Sequence, residues 1–417
     1  MKTAIWLYLF LFVAMFDLHA QYPILTPFAV SLGAAPSFIG LMMGLYSITH
    51  LPGNLIAGFS IDRFGSRIFI ALSLLGAGLI LLLQAQVTNP WQLLVLRSIS
   101  GFVLAFLSPA CSALLARMAT NAVQQGRLMS GSGFVHTLAS VVSPAAGAFL
   151  VASIGFTSAF YLLGWVLIVT AICAILFVRD PQTDGMANPA SPPGSAGSVS
   201  SENSAGSANS APQGAGQQGS SPGSAGFAEE EQEQDRFPWL LYALPVAISC
   251  SQGILSFELP LMSTSTEGMM RTGLLFSVVS LGGLITLSML FLNRVPAFTR
   301  TLWGALMLAA VYYGIATEAP LPLVYMLLGV GMAKGIIFPA LSTLLIELSS
   351  RARYGRTFSL LSIAFSVGAF LGPMIAGQVR DFISPYFISF FVLMLAAAIL
   401  PLHGGRRRAG SATAQLR

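Results

Sequence analysis

Charge is scarce in this chain. Only 8% of its 417 residues are Asp, Glu, Lys or Arg, against roughly 25% in a soluble domain. A water-soluble fold of that make-up would leave large apolar areas facing water. Cysteine is scarce as well. Cys111, Cys173 and Cys250 each lie in an apolar run, with no C-x-x-C spacing and no histidine cluster beside them. Neither a disulfide framework nor a metal site is therefore expected. The sequence also lacks a nucleophile–base constellation and a glycine-rich phosphate loop, so neither an enzyme nor a cofactor is expected. A signal-peptide cleavage site is missing too. The apolar run after Lys2 continues past the roughly 7–15 residues of a signal core and carries Asp17. It reads as a first membrane span that is retained.

What the chain has is apolar length. It is 55% hydrophobic, with mean hydropathy +0.77. A spanning helix needs about 20 mostly apolar residues. Such runs fall near 4–30, 37–60, 67–87, 91–116, 128–153 and 157–178, and again near 238–263, 270–292, 298–317, 320–346, 357–380 and 384–403. Backbone polar groups in lipid must pair within their own segment, so these runs are expected to be helices. The fold class is thus all-α integral membrane, with twelve transmembrane helices in two six-helix bundles. The expected units are a first bundle over 1–179, a linker over 180–236, a second bundle over 237–405 and a basic tail over 406–417. The linker is rich in Gly, Ser, Ala, Pro and Gln and ends in the acidic run Glu229, Glu230, Glu231, Glu233 and Asp235. Such a segment cannot bury a core and is expected to be a disordered cytoplasmic tether.

The basic residues give orientation, because cytoplasmic loops keep Lys and Arg. With the N-terminus inside, the inner loops and ends hold Lys2, Arg63, Arg67, Arg117, Arg127, Arg179, Arg236, Arg294 and Arg300, together with Arg351, Arg353, Arg356, Arg406, Arg407, Arg408 and Arg417. The outer loops hold only Arg271 and Arg380. The pI near 9.3 is therefore a topology signal and not a sign of nucleic-acid binding. Both termini are expected in the cytoplasm, with the chain multi-pass in the cell membrane and monomeric.

The halves repeat. Pro109-Ala110-Cys111-Ser112-Ala113-Leu114-Leu115 closes the fourth span, and Pro339-Ala340-Leu341-Ser342-Thr343-Leu344-Leu345 closes the tenth. Gly126-Arg127 and Gly355-Arg356 follow. Pro144 and Pro373 then stand among small residues in the fifth and eleventh spans. Two similar bundles on a tether can rock about a substrate site at their interface.

Between spans two and three stands Gly58-Phe59-Ser60-Ile61-Asp62-Arg63-Phe64-Gly65-Ser66-Arg67. Gly58 permits close helix approach and Gly65 a tight turn. Asp62 can pair with arginines or cap a neighbouring helix, latching one state of a cytoplasmic gate. The segment resembles the loop motif of the major facilitator transporters, a glycine, Asp-Arg four residues on, then glycine and a basic residue. Arg97 and Gly101 in the fourth span are similar to the family's Arg-xxx-Gly element, which the resemblance links to proton coupling. Ser143-Pro144-Ala145-Ala146-Gly147 is similar to the fifth-span element of its antiporters, with Ser143 where glycine is usual. Gly372-Pro373 looks closer to that pattern. The second loop counterpart, Asn293-Arg294, is degenerate, which implies an asymmetric latch.

Ionisable side chains inside a bilayer are costly and mark function. Here they are Asp17 and His19 in span one, Arg97 in span four, Glu258 in span seven and Lys334 in span ten, with His50 and His136 elsewhere. In the family that this sequence resembles, spans one, four, seven and ten line the central cavity. At about 1.5 Å of rise per residue, Asp17 and Lys334 fall near the midplane, Arg97 and Glu258 nearer the outer face. Asp17 is the expected proton carrier, tuned by Arg97 or His19; a static Asp17–Arg97 pair is the structural alternative. Lys334 either binds an anionic substrate group or neutralises Glu258. Gln21, Tyr22, Asn54 and Gln252 are candidate hydrogen-bonding residues, and Glu347 beside Arg351 and Arg353 a gate pair. The resemblance implies proton-coupled efflux of a small organic solute, as in the drug and metabolite branch. Uptake or facilitated diffusion of a polar or zwitterionic metabolite, including a metal chelator, is the alternative. A transport-inactive sensor is a third. The expected partners are lipid, a small-molecule substrate and protons.

Overall fold

The computed structural model describes residues 2–118, 122–178, 239–262, 265–289, 294–348 and 354–414. Residues 180–236, with their acidic run, lie outside the described residues, as do Arg351 and Arg353. Among the described residues twelve α-helices are found: α1 (Lys2–Ser31), α2 (Pro36–Phe64), α3 (Ser66–Gln84), α4 (Pro90–Leu104), α5 (Leu107–Arg117), α6 (Ala122–Phe177), α7 (Ala243–Leu261), α8 (Thr266–Ser288), α9 (Ala297–Ala316), α10 (Leu323–Leu348), α11 (Tyr354–Val379) and α12 (Pro385–Ala414). No strand occurs among the described residues.

Helices and membrane crossings do not correspond one to one. α4 and α5 are two pieces of the fourth span, parted at Ala105 and Phe106. α6, at 56 residues, would measure about 84 Å if straight, far beyond the roughly 30 Å hydrocarbon core. It reverses at Gly155, whose φ of 80° leaves the helical region. Its two ends accordingly meet neighbours at the same level. The Leu128 carbonyl accepts from the Tyr8 hydroxyl at 3.0 Å, and the Ile175 carbonyl accepts from Arg67 at the start of α3. Eight helical stretches are long and apolar enough to cross a membrane, Arg127–Phe177 being one of them. The doubled α6 with α2, α9 and α12 completes twelve crossings.

Local chemistry explains the element ends. The Asn89 side chain accepts from the Trp91 amide at 2.9 Å while Pro90 occupies the first helical position of α4, an N-terminus that needs no N–H there. Ser265 caps α8 through the Gly268 amide at 3.1 Å. The turn between α2 and α3 is a single residue, Gly65, with φ 87°, a conformation that favours glycine.

The second half repeats the packing of the first. α1 packs on α6, α2 on α4, and α3 on α4 and α6; α7 packs on α11, α8 on α10, and α9 on α10 and α12. The halves meet through α2 against α11 and α6 against α8. Apolar side chains such as Leu72, Leu83, Trp165, Val169, Trp303 and Leu395 stay exposed on the outside. A surface of this kind suits lipid. Phe10, Phe160, Phe257 and Tyr312 are fully buried.

Contact across the seam is close at the end away from both termini. A Cβ built on Gly273 would lie 2.6 Å from the Pro144 carbonyl oxygen, and one on Gly44 2.8 Å from the Phe370 carbonyl oxygen. One on Gly377 would meet the Pro36 carbonyl oxygen at 2.8 Å, and one on Gly40 the Pro373 carbonyl. Among the described glycines, every such approach between the halves lies at that far end.

Candidate functional site

The charged side chains of spans one and four gather into a buried chain. Asp17 and Gln21 stand four residues apart and so share a face of α1. The Gln21 amide donates to both Asp17 oxygens, at 3.0 and 2.9 Å. Its carbonyl oxygen accepts from Arg97 Nη1 at 2.6 Å. All three residues are buried, Asp17 at 2% exposure. In place of the direct Asp17–Arg97 pair given as the structural alternative stands a relay with Gln21 in the middle. The reason is depth: Gln21 sits about 6 Å nearer the far end than Asp17, which brings it to the level of Arg97.

Arg97 is held from a second side. A Cβ on Gly101, one turn further along the fourth span, would collide with the Tyr46 carbonyl on α2. That close approach places the Tyr46 ring 4.6 Å from Arg97 Cζ, a cation–π contact. Tyr46 was not legible in the sequence, where an aromatic residue in an apolar span has no distinguishing mark. The seam glycines did carry a signal: Gly40 and Gly44 form a small-xxx-small pattern.

Spans seven and ten build the opposing group. Lys334 Nζ donates to Gln252 Oε1 at 2.5 Å. The Gln252 amide donates to Ser256 Oγ at 3.3 Å, whose hydroxyl donates to the Gln252 main-chain carbonyl at 2.8 Å. Lys334 lies 6.0 Å from the Phe338 ring centroid. Among the described residues no carboxylate stands within 4.0 Å of it. The reading in which Lys334 neutralises Glu258 is thus corrected. Glu258 lies 3.9 Å from Arg380 Nε, at the far end of α7 and roughly 12 Å in helical rise from the level of Lys334.

His19 occupies the space between the two groups. Its Nδ1 lies 2.7 Å from the Met15 carbonyl oxygen. Its ring stands edge-on to those of Tyr22 and His136, with centroids 5.5 Å away in both cases, and Lys334 is within electrostatic reach. Tyr22 leans on Phe276 of α8 at 5.9 Å. His50 and Asn54 pair with each other on α2 at 2.8 Å, and this pair is not part of the relay. His19, Tyr22, Gln252 and Lys334 are half-buried, and His136 is exposed. The accessible wall is therefore aromatic and polar, with the Asp17 relay sealed behind it.

The gate motif lies at the terminus end. Gly65 makes the turn described above. Arg63 is exposed, its Cζ 5.3 Å from the Phe64 ring centroid, and Arg67 donates to the Ile175 carbonyl. The side-chain positions of Gly58 and Asp62 lie outside the described residues, and so does the latch expected of Asp62. Glu347 is exposed. Of the hinge residues, Pro144 and Pro373 meet the facing half, while Gly147 and Gly372 pack within their own halves. Pro144 meets Gly273, and a Cβ on Gly147 would lie 2.6 Å from that of Ala20 on α1. Pro373 meets Gly40 and Gly253, and Gly372 abuts Cys250 on α7. Ser143 is buried, and its hydroxyl donates back to the Ala139 carbonyl. A serine is thus accommodated where the family's antiporters usually have glycine.

Comparison with known proteins places this arrangement. The chain is 31% identical over 166 residues to Multidrug resistance protein MdtG of Proteus mirabilis, covering 38% of this chain and 40% of that protein. It is 27% identical over 172 residues to Multidrug resistance protein 1 of Bacillus subtilis, covering 41% and 44%. The matched stretches thus span less than half the length of these curated relatives. Among solved structures, an inward-facing bacterial homologue of the human lysosomal transporter Spinster superposes with a TM-score of 0.71 at 18% identity, over 96% of both chains. A D-xylose–proton symporter does so with a TM-score of 0.66 at 15% identity, over 95% of this chain and 96% of that one. These two likenesses show a shared fold. The sequence profile of the Major Facilitator Superfamily matches residues 7–373, and the chain belongs to that superfamily.

Proposed function

We propose that this chain is a secondary transporter that exports a small organic solute across the cytoplasmic membrane in exchange for protons, by alternating access of two rocking halves. The termini and the gate loop face the cytoplasm in this reading, the far-end seam closes the outer side, and the unit is a monomer. Two of the similar proteins carry multidrug resistance in their names, which supports efflux of organic compounds.

The observation that carries the reading is the buried carboxylate of Asp17, bound through both oxygens to Gln21. A protonated carboxyl keeps acceptor capacity but offers an O–H in place of one charged acceptor. Gln21 then loses a charge-assisted bond, and with it part of the tie from α1 through Gln21 to Arg97. Bonds to charged groups contribute roughly 1.5–3 kcal/mol. A differential of that size shifts a two-state balance by roughly ten- to hundredfold, enough to couple protonation to the rocking of the halves.

The test is dissipation of a pH gradient in everted vesicles on addition of a broad compound panel, wild type against Asp17→Asn. The proposal expects dequenching by wild type and none by Asp17→Asn at equal protein abundance. Equal dequenching by both would remove Asp17 from the coupling. One observation favours the second reading, uptake of a polar or zwitterionic metabolite. Lys334 has no carboxylate partner in the described cavity, as would suit a solute carrying negative charge.

A further inference from the structure

The two halves make the same hydrogen bond from different sequences. In each, a cation on the fourth or tenth span donates to the side-chain carbonyl of a glutamine on the first or seventh: Arg97 to Gln21, and Lys334 to Gln252. What lies beyond the glutamine differs. Four residues before Gln21 stands Asp17, whose two oxygens take the amide N–H groups. Four residues before Gln252 stands Ile248, apolar and buried, and the Gln252 amide turns instead to the hydroxyl of Ser256. The first half therefore carries a counter-charge for its cation, and among the described residues the second has none within 4.0 Å of Lys334.

An ammonium at bilayer depth without a counter-charge is costly. Gln252 uses one of the three N–H donors of Lys334, and a neutral amide cannot balance its charge. The half-buried side chains around it, His19 and Gln252, are donors or dipoles, and His136 stands beside His19. Glu258 is engaged at the far end by Arg380. The Asp17 charge is offset within its own relay. From this juxtaposition we propose that Lys334 and Gln252 form the subsite for a negatively charged group of the substrate, a carboxylate or a phosphate monoester. The substrate class is then organic anions and zwitterions. This deepens the transport reading above and rests on it for the claim that the ligand is cargo.

The test separates the two. Purified full-length protein in nanodiscs is heated with millimolar aliphatic and aromatic monocarboxylates, phenyl phosphate, and the matching neutral amides, following the thermal midpoint. Wild type is expected to be stabilised by at least one acid and not by its amide. Lys334→Gln should weaken that acid about tenfold or more, and Lys334→Arg should keep most of the effect. Retained binding in Lys334→Arg shows that a loss in Lys334→Gln is not a folding defect. The subsite is overturned if acid and amide stabilise wild type equally. It is overturned too if Lys334→Gln binds the acid as wild type does, or if no acid binds. Acid binding that depends on Lys334 with no acid-driven flux in wild-type vesicles would instead keep the subsite and sink the transport reading.

Discussion

The first half of this molecule neutralises its buried charge, and the second leaves it open. Arg97 and Lys334 occupy corresponding spans and each bonds a glutamine. Only the first of those glutamines is backed by a carboxylate, Asp17. One architecture thus yields a closed relay on one side of the cavity and an open charge on the other. The difference assigns work: a relay is suited to receiving a proton, an open ammonium to receiving an anion. The two halves differ at the residue one turn before the glutamine, aspartate in one and isoleucine in the other.

The largest way to break this comparison is to remove each cation. Arg97→Ala strands a buried carboxylate, and losing one partner of a buried charge pair costs roughly 3–5 kcal/mol. A lower thermal midpoint and loss of proton-coupled flux are expected. Lys334→Ala removes a charge that no described carboxylate within 4.0 Å balances, so its midpoint in lipid should hold or rise. Equal destabilisation by the two would mean that the halves are not different in kind. Next is a substitution that makes the halves alike. Ile248→Glu supplies the second half with a carboxylate one turn before Gln252. Acid-dependent stabilisation in nanodiscs should fall about tenfold or more, with the folded yield kept. Undiminished acid binding would show that the counter-charge cannot reach Lys334.

The seam offers a smaller effect that should be the same on both sides. Gly40→Leu and Gly273→Leu each put a side chain onto a main-chain carbonyl of the facing helix, at Pro373 and Pro144. Both should favour opening of the far end, read as faster alkylation of a cysteine placed at Ser37, with flux reduced. An effect from only one of them would make the hinge one-sided. The smallest effect expected is at the reversal of α6. Gly155→Ala meets nothing within 4 Å, so only its backbone conformation, φ 80° and ψ 169°, is penalised, by roughly 1–3 kcal/mol. A fall of a few degrees in the midpoint with flux unchanged is expected.

Much of this was legible in the sequence, for a plain reason. Lipid forces every backbone group to pair locally, so hydropathy reports the helices, and the break between the fifth and sixth spans near residue 155 could be placed by length alone. The ionisable residues also stood out, because few are tolerated in apolar runs. Rise per residue correctly put Glu258 near the end of α7 and Lys334 deeper, although the sequence reading left a pairing of the two open. What could not be read was how side chains bridge levels. Gln21 and Gln252 stand out in the sequence as hydrogen-bonding candidates for a substrate, yet each instead decides what its neighbouring cation touches. Tyr46 reaches Arg97 only because Gly101 lets two helices approach, and no spacing within one span encodes an approach between two.

The seam has a consequence for speed. Where the halves meet, hydrogens of glycine face main-chain carbonyls, with Gly40 at Pro373, Gly44 at Phe370 and Gly273 at Pro144. At these points main chain and small residues form much of the joint, with the Phe370 ring over Gly44 and the Ala148 methyl against Gly273, so little side chain has to be withdrawn on parting. Few rotamers need to change during it, and few are set free afterwards. Such a joint can open and shut many times without repacking its core. Its pace is then set by the friction of the surrounding lipid, more than by the unfastening of the protein itself.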